Sequence, residues 1–306
     1  MVKTFCPSWL AVAMIIGVSG CAAKKHLTAD EYFRAASEEM QSGALEPAVE
    51  NYRELLDEHP FSEYSEEAEL QIGRAYYLNG SCPEAIAALT DFQRRHPTSP
   101  FLPFVGYALG QCYERQMRSA DRDQGASQNA HAYYVALTQQ YPESPFADLV
   151  RDEIQHCRDT LAEHELIVAR YYRRQGNKKA AEFRLLDLVN RFDDTPVAAE
   201  ALFALGEFYK DTGALDRAVL AFAAIKVHHP DHELALRAED ELKLLHEEDP
   251  PSGDPVVVLQ ALTGRSRSLA LAQAADIPAP ENTARQAPAL GPAFGGQDYG
   301  PFGGRY

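Results

Sequence analysis

A glycine, an alanine and a proline recur along this chain at fixed offsets, and that spacing constrains the fold more than any other feature. Gly43 is followed five residues later by Ala48 and twelve after that by Pro60. Gly80, Ala85 and Pro97 keep the same offsets, as do Gly125, Ala130 and Pro142, and again Gly213, Ala218 and Pro230. A further copy has Gly176 and Ala181, with Asp193 in the place of the proline. The first two copies lie 37 residues apart, and the later intervals between final residues are 45, 51 and 37. Insertions therefore fall around the third and fourth copies. Self-similarity at a period of roughly 20–50 residues marks an array of stacked units, each too small to bury a core alone.

Small residues and tyrosines precede these glycines: Gly73 and Tyr76, Gly110 and Tyr113, Ala169 and Tyr172, Gly206 and Tyr209. Residues three apart share a helix face. The spacing predicts a first helix (A) whose small residue lets a second helix (B) cross closely, with the glycine in the turn between them. The alanine of helix B allows the approach, and Tyr52, Leu89, Tyr134, Leu185 or Phe222 fills the remaining gap. The proline then ends helix B, because it has no N–H to donate. Start signals agree. Thr28-x-x-Glu31 and Ser81-x-x-Glu84 fit capping boxes. Ser99-Pro100, Ser144-Pro145 and Thr195-Pro196 each place an N-cap residue before a proline.

The pattern resembles the tetratricopeptide repeat, about 34 residues long with an A…F…P signature. The resemblance implies an all-α superhelical solenoid of about five helix-turn-helix repeats over residues 27–248, ending in a capping helix from His232 to Glu247, with a concave surface. For most of the tyrosines and leucines, core packing is the expected role.

The chain opens with Lys3, a short apolar run from Trp9 to Ile16, and the small residues Ser19-Gly20 before Cys21. That is the layout of a secretory signal. The run is shorter than the roughly 20 apolar residues a membrane span needs. Val18-Ser19-Gly20-Cys21 resembles a bacterial lipobox, which implies a signal peptide over 1–20, cleavage before Cys21, and a lipidated linker over 21–26. Palmitate-type acylation at two positions would anchor the chain, since one acyl chain binds a membrane only marginally. Ala22, rather than Asp, favours the outer membrane by the same resemblance.

A formal net charge of −16 excludes a nucleic-acid role, because such a chain repels phosphates. Cys82, Cys112 and Cys157 remain beyond Cys21. Either one disulfide and one free thiol or three buried core residues would fit, and the lack of any CxxC pair favours core. From Pro250 to Tyr306 there are eight prolines and eight glycines in 57 residues. Residues 249–306 therefore read as a disordered, low-complexity tail. Within it, the apolar run Val256–Leu262 suggests a short ordered or docking element. No dinucleotide, P-loop, nucleophile-elbow or HExxH motif is present, so no catalytic residue and no cofactor is assigned. His228-His229-Pro230-Asp231-His232 is the one suggestive metal cluster. Pro230 interrupts it, so its histidines do not share a helical face, and no metal site is assigned.

Four stretches carry a closer resemblance. His59-Pro60-Phe61-Ser62-Glu63-Tyr64-Ser65 is similar to a YPFGPYS-like link, and Ala75-Tyr76-Tyr77-Leu78-Asn79 to an AYYKN-like helix end. Asp121-Arg122-Asp123-Gln124 is similar to a DRDP-type insertion with Gln124 in the place of proline. Ala162 to Tyr172 is similar to an LAKYEYSVAEYY-like helix. On these the chain, over about residues 27–248, resembles the BamD-type lipoproteins of the outer-membrane β-barrel assembly machinery. The resemblance implies a non-catalytic scaffold on the periplasmic face of the outer membrane. Its N-terminal repeats would hold unfolded barrel substrates, around Phe61, Tyr64, Arg74 and Tyr77. Its C-terminal repeats, from Tyr171 to Pro230, would dock the POTRA domains of the barrel-forming BamA-type subunit, alongside other assembly lipoproteins. Another envelope lipoprotein built from these repeats, a secretin pilotin or a coordinator of peptidoglycan synthesis, is the alternative.

Overall fold

The computed structural model describes residues 26–245 and 253–263. Cys21, the signal segment, residues 246–252 and residues 264–306 lie outside them. The described residues form thirteen helices and no strand. Helices α1 (Ala29–Ser42) and α2 (Leu45–Glu58) make the first hairpin, and α3 (Ser65–Leu78) and α4 (Cys82–Arg95) the second. The third pairs α5 (Leu102–Glu114) with α6 (Gly125–Gln140). After the short α7 (Pro145–Leu149), α8 (Arg151–Arg174) pairs with α9 (Lys178–Arg191), and α10 (Pro196–Thr212) with α11 (Leu215–His228). Two helices follow, α12 (Leu234–Leu244) and α13 (Pro255–Leu262). The array is the expected tetratricopeptide solenoid of five hairpins with a capping helix.

Each hairpin closes where the spacing places it. A Cβ on Gly73 would overlap the side chain of Leu89, one on Gly110 that of Tyr134, and one on Gly206 that of Phe222. Ala48, Ala85, Ala130, Ala181 and Ala218 are fully buried on the opposing helices. In four hairpins the turn glycine adopts a left-handed backbone: Gly43, Gly80, Gly176 and Gly213 have φ of 82, 74, 73 and 77°. The third differs. Gly125 opens α6, and the ten residues before it (115–124) form the connection. Gln124 organises that insertion from a buried position. Its Nε2 donates to the carbonyls of Ser119 and Arg122, both at 3.0 Å, and its Oε1 accepts from Ser127 Oγ at 2.9 Å.

The caps follow the sequence in part. Thr28 and Glu31 form the full box at the start of α1, and Ser144 caps α7. Ser81 precedes α4 without a side-chain cap bond. Thr195 precedes α10 but its hydroxyl donates backward to the carbonyl of Phe192 at 2.8 Å. α5 begins at Leu102, beyond Ser99-Pro100, with Pro103 in its first turn.

The C-terminal boundary also moves. The cap helix runs Leu234–Leu244, and His232 sits in the preceding turn, its Nδ1 accepting from the Leu234 N–H at 3.1 Å. Residues expected in the low-complexity tail form α13, which packs on α11 and buries Leu259 in the core of the last two hairpins. The physical reason is the VVVL run, apolar enough to seat on a neighbouring helix despite the Pro/Gly-rich sequence around it.

Cys82, Cys112 and Cys157 are buried and unpaired, as core residues. Burial pushes the thiols of Cys112 and Cys157 up to about 12, assisted by Cys82 beside Cys112 and by Glu114 beside Cys157. Both should therefore resist alkylation at pH 8 in the native chain and react fully in denaturant, a contrast that peptide mapping of the alkylated protein reads directly. At the Gly206 crossing, Gly206→Val should lower stability by about 1–3 kcal/mol through overpacking. That corresponds to a fall in melting temperature of roughly 2–4 °C per kcal/mol for a solenoid of this size.

Candidate protein-binding surface

Two neighbouring pairs of A helices touch, α3 with α5 and α8 with α10, and α10 also touches the cap helix α12, while no B helix makes a comparable contact with the B helix of the next hairpin. The A helices therefore form the inner wall of the curve, the surface that such solenoids present to ligands.

The link between the first two hairpins, His59 to Tyr64, is a compact turn. Ser65 Oγ donates to the His59 carbonyl at 3.2 Å, the Ser62 N–H donates to the same carbonyl at 3.1 Å, and the Ser62 and Ser65 hydroxyls lie 3.0 Å apart. His59 Nε2 also lies 2.9 Å from the carbonyl of Leu27, tying the link to the start of the solenoid. A turn held this way has no room to fold Phe61 inward, and its ring is 100% exposed. Tyr64 is half-buried and stacks on Phe33 of α1, centroids 4.9 Å apart and planes 24° apart. Phe33 in turn meets Tyr52 edge-on at 5.7 Å. The charges of Glu63 and then Asp30 raise the Tyr64 phenol above its ordinary value, so the patch is aromatic with an acidic rim.

The other two assigned residues separate. Arg74 is half-buried on α3 and its Nη1 donates to Gln71 Oε1 at 3.3 Å. Its charge also acts on the Tyr52 phenol, which Phe33 meets edge-on. Tyr77 is 3% exposed. Its ring meets Phe104 at 6.2 Å and Tyr107 at 6.5 Å, both edge-on, and the Arg115 guanidinium lies 5.0 Å from its centroid. Tyr77 is thus a wedge between the second and third hairpins rather than a contact offered to solvent. Phe61 and Tyr64 share the link, and Arg74 reaches the same neighbourhood through its charge on Tyr52. Phe33 completes it, a residue that no motif spacing singled out.

The C-terminal hairpins present a different surface. Arg170 and Glu200 pair across α8 and α10 at 2.8 Å, Arg173 and Glu207 at 3.9 Å, and Lys210 bonds Glu241 across α10 and α12. Tyr171, Phe183, Leu215 and Val227, all within the Tyr171–Pro230 region, keep large apolar surface exposed. The histidine cluster binds locally: His228 Nε2 lies 3.1 Å from Asp254. Among the described residues no group of His, Cys, Asp or Glu has the arrangement of a metal site. No helix among them is long and apolar enough to cross a membrane.

Five helical hairpins with an aromatic link on one end and paired charges on the other define a tetratricopeptide-repeat protein. The chain belongs to the YfiO family of outer membrane lipoproteins, which matches residues 25–222. It is 30% identical over 226 residues to the outer membrane protein assembly factor BamD of Caulobacter vibrioides, covering 72% of this chain and 74% of that one. It is 28% identical over 221 residues to the factor of the same name from Vibrio cholerae, covering 68% and 90%. The BamD of Neisseria meningitidis serogroup B is 27% identical over 221 residues, covering 66% and 83%.

The different roles of the two tyrosines lead to different outcomes on truncation. Tyr77→Ala should cost about 3–5 kcal/mol, the range for removing a large buried aromatic. Tyr64→Ala, half-exposed, should cost a fraction of that. Chemical denaturation of the two variants side by side checks the contrast, and equal losses would contradict the placement.

Proposed function

We propose that this chain is a non-catalytic scaffold in the assembly of outer-membrane β-barrel proteins, anchored through lipid on Cys21 to the periplasmic face of the outer membrane. The observation that carries the reading is the family match across the hairpin array, joined to a fully exposed Phe61 on a hydrogen-bonded link beside the Phe33–Tyr64 stack. Aromatic side chains on a rigid support are the usual anchors of protein recognition, because little conformational freedom is lost when they are covered. An unfolded barrel segment, apolar on alternate residues, offers rings and branched chains to such a patch. Phe61 and Tyr64 would make the contact, with Arg74 acting on the same neighbourhood through its charge. Tyr77 would act indirectly, by fixing the angle between the second and third hairpins.

The C-terminal hairpins suit a folded partner. Their exposed apolar side chains stand among fixed ion pairs, a mixture that gives both contact area and charge register. The barrel-forming subunit's periplasmic POTRA domains are the partner this reading assigns to them.

Purification of the tagged chain from native membranes in mild detergent tests the proposal. A POTRA-bearing barrel protein should co-elute in near-equal amount, and Cys21→Ser should release the chain into the soluble fraction. Phe61→Ala combined with Tyr64→Ala should weaken capture of an unfolded barrel segment by roughly tenfold or more while leaving the partner complex intact. Co-elution of a secretin or a peptidoglycan enzyme in its place would move the function to another envelope assembly.

A further inference from the structure

The helix α13 is not the second half of a sixth hairpin. Such a helix would pack beside α12, whereas α13 turns back and lies on α11. It covers the outer side of the last two hairpins, over a groove lined by Val189 and Asn190 of α9, Leu202 of α10, and His228 and His229 at the end of α11. It also lies beyond residue 222, where the family match ends.

Its seating is specific but incomplete. Leu259, 1% exposed, and Pro255 are its buried apolar anchors, with Val256 and Val258 partly buried beside them. Val257 on the same turn is 59% exposed. Three polar ties hold the ends and middle. Asp254 pairs with His228 at 3.1 Å while its carboxylate also accepts from the Val256 and Val257 N–H groups. Gln260 Nε2 donates to Asn190 Oδ1, and Arg217 Nη2 donates to the Leu262 carbonyl at 3.3 Å. Between helix and groove a cleft of about 60 Å³ remains. The buried Nδ2 of Asn190 meets no acceptor. A helix of eight residues is too short to persist alone in water, so α13 forms only while it is seated.

We propose that the groove over α9 and α11 is a helix-binding site and that α13 is its reversibly seated internal ligand. When the strap lifts, the site takes a partner segment of the same chemistry: an acidic N-cap facing His228, branched aliphatics over Leu202, and a carboxamide that meets both the oxygen and the nitrogen of Asn190. Segments held by few buried contacts open locally without global unfolding, which is what such a strap requires. Asp254 is the point of control. Although desolvation opposes it, the hydrogen bonds from His228 and the two backbone N–H groups hold its carboxyl below the usual carboxylate range. The titratable groups that line the same cleft from the packed elements are His228, His229 and Asp193. The inference does not depend on the assembly role.

Hydrogen exchange on the full chain tests it. The amides of 257–262 should exchange at least tenfold faster than those of 219–226 in α11. Asp254→Ala, which removes both cap and His228 tie, should speed exchange in α13 by roughly fivefold and leave α11 unchanged. Asp254→Asn, which keeps the cap, should fall between. A labelled synthetic peptide of residues 253–263 should bind the Asp254→Ala chain more tightly than the unaltered one. If α13 and α11 exchange at one rate and slow or quicken together, α13 is a fixed part of the last hairpin and the proposal fails. It fails equally if the peptide does not bind the Asp254→Ala chain.

Discussion

In three of the five hairpins the two helices cross where one contributes no side chain at all. Gly73 lies against Leu89, Gly110 against Tyr134 and Gly206 against Phe222, each so close that a single added carbon would overlap the facing side chain. Ala36 and Ala169 stand at the corresponding places in the other two and are buried. Close packing of this kind gains dispersion contacts over the whole large side chain, and it sets the distance between the helices as well as their attraction. In a solenoid each unit touches only its neighbours, so the pitch and curvature of the whole are the sum of these local distances. The inner wall exists because five crossings agree.

A consequence appears in the polar groups that the crossings bury. Tyr52, Tyr134 and Tyr209 occupy or adjoin these contacts, and each hydroxyl must find a partner there. Tyr52 OH lies 3.2 Å from Ser37 Oγ, Tyr134 OH donates to Glu114 and accepts from Gln111 Nε2 at 2.9 Å, and Tyr209 OH donates to Glu182 at 2.7 Å. Burial, and for the latter two the neighbouring carboxylate, raises all three phenols above their ordinary range. These tyrosines are committed to the fold. The link residues Phe61, fully exposed, and Tyr64, half-buried, are not committed in this way.

The crossings were legible in the sequence because small and large partners fall at fixed offsets within one hairpin. The inner wall was less so. Tyr76 and Tyr77 are adjacent, and helical spacing alone does not say which turns inward. In the structure Tyr77 goes to Phe104 and Tyr107 of the next hairpin, while Tyr76 receives Arg53 Nη2 on its hydroxyl at 2.7 Å. Phe33 was missed because its partner Tyr64 belongs to the next unit, and contacts between units carry no fixed spacing. Gly125 kept the repeat's offset but lost its conformation once the insertion supplied a longer connection. α13 was legible as a short apolar run, Val256–Leu262, inside a segment whose composition over 57 residues reads as low-complexity; what the sequence did not show is that it seats on α11.

The two ends of the array solve the problem of an open solenoid differently. A terminal hairpin exposes the face that a next repeat would cover, and it needs a cap. At the start, α1 opens on a full capping box, and His59 reaches back to the Leu27 carbonyl, so the first hairpin is closed by its own link. At the far end α12 covers the inner side but leaves Leu236 and Leu244 largely exposed, and the outer side is left to a helix joined by a Pro-rich connection. A cap made of one continuous hairpin would be as stable as the repeats it closes. A cap divided between α12 and a separately tethered α13 allows the outer groove to open while the inner wall, set by the Gly206–Phe222 crossing, keeps its shape.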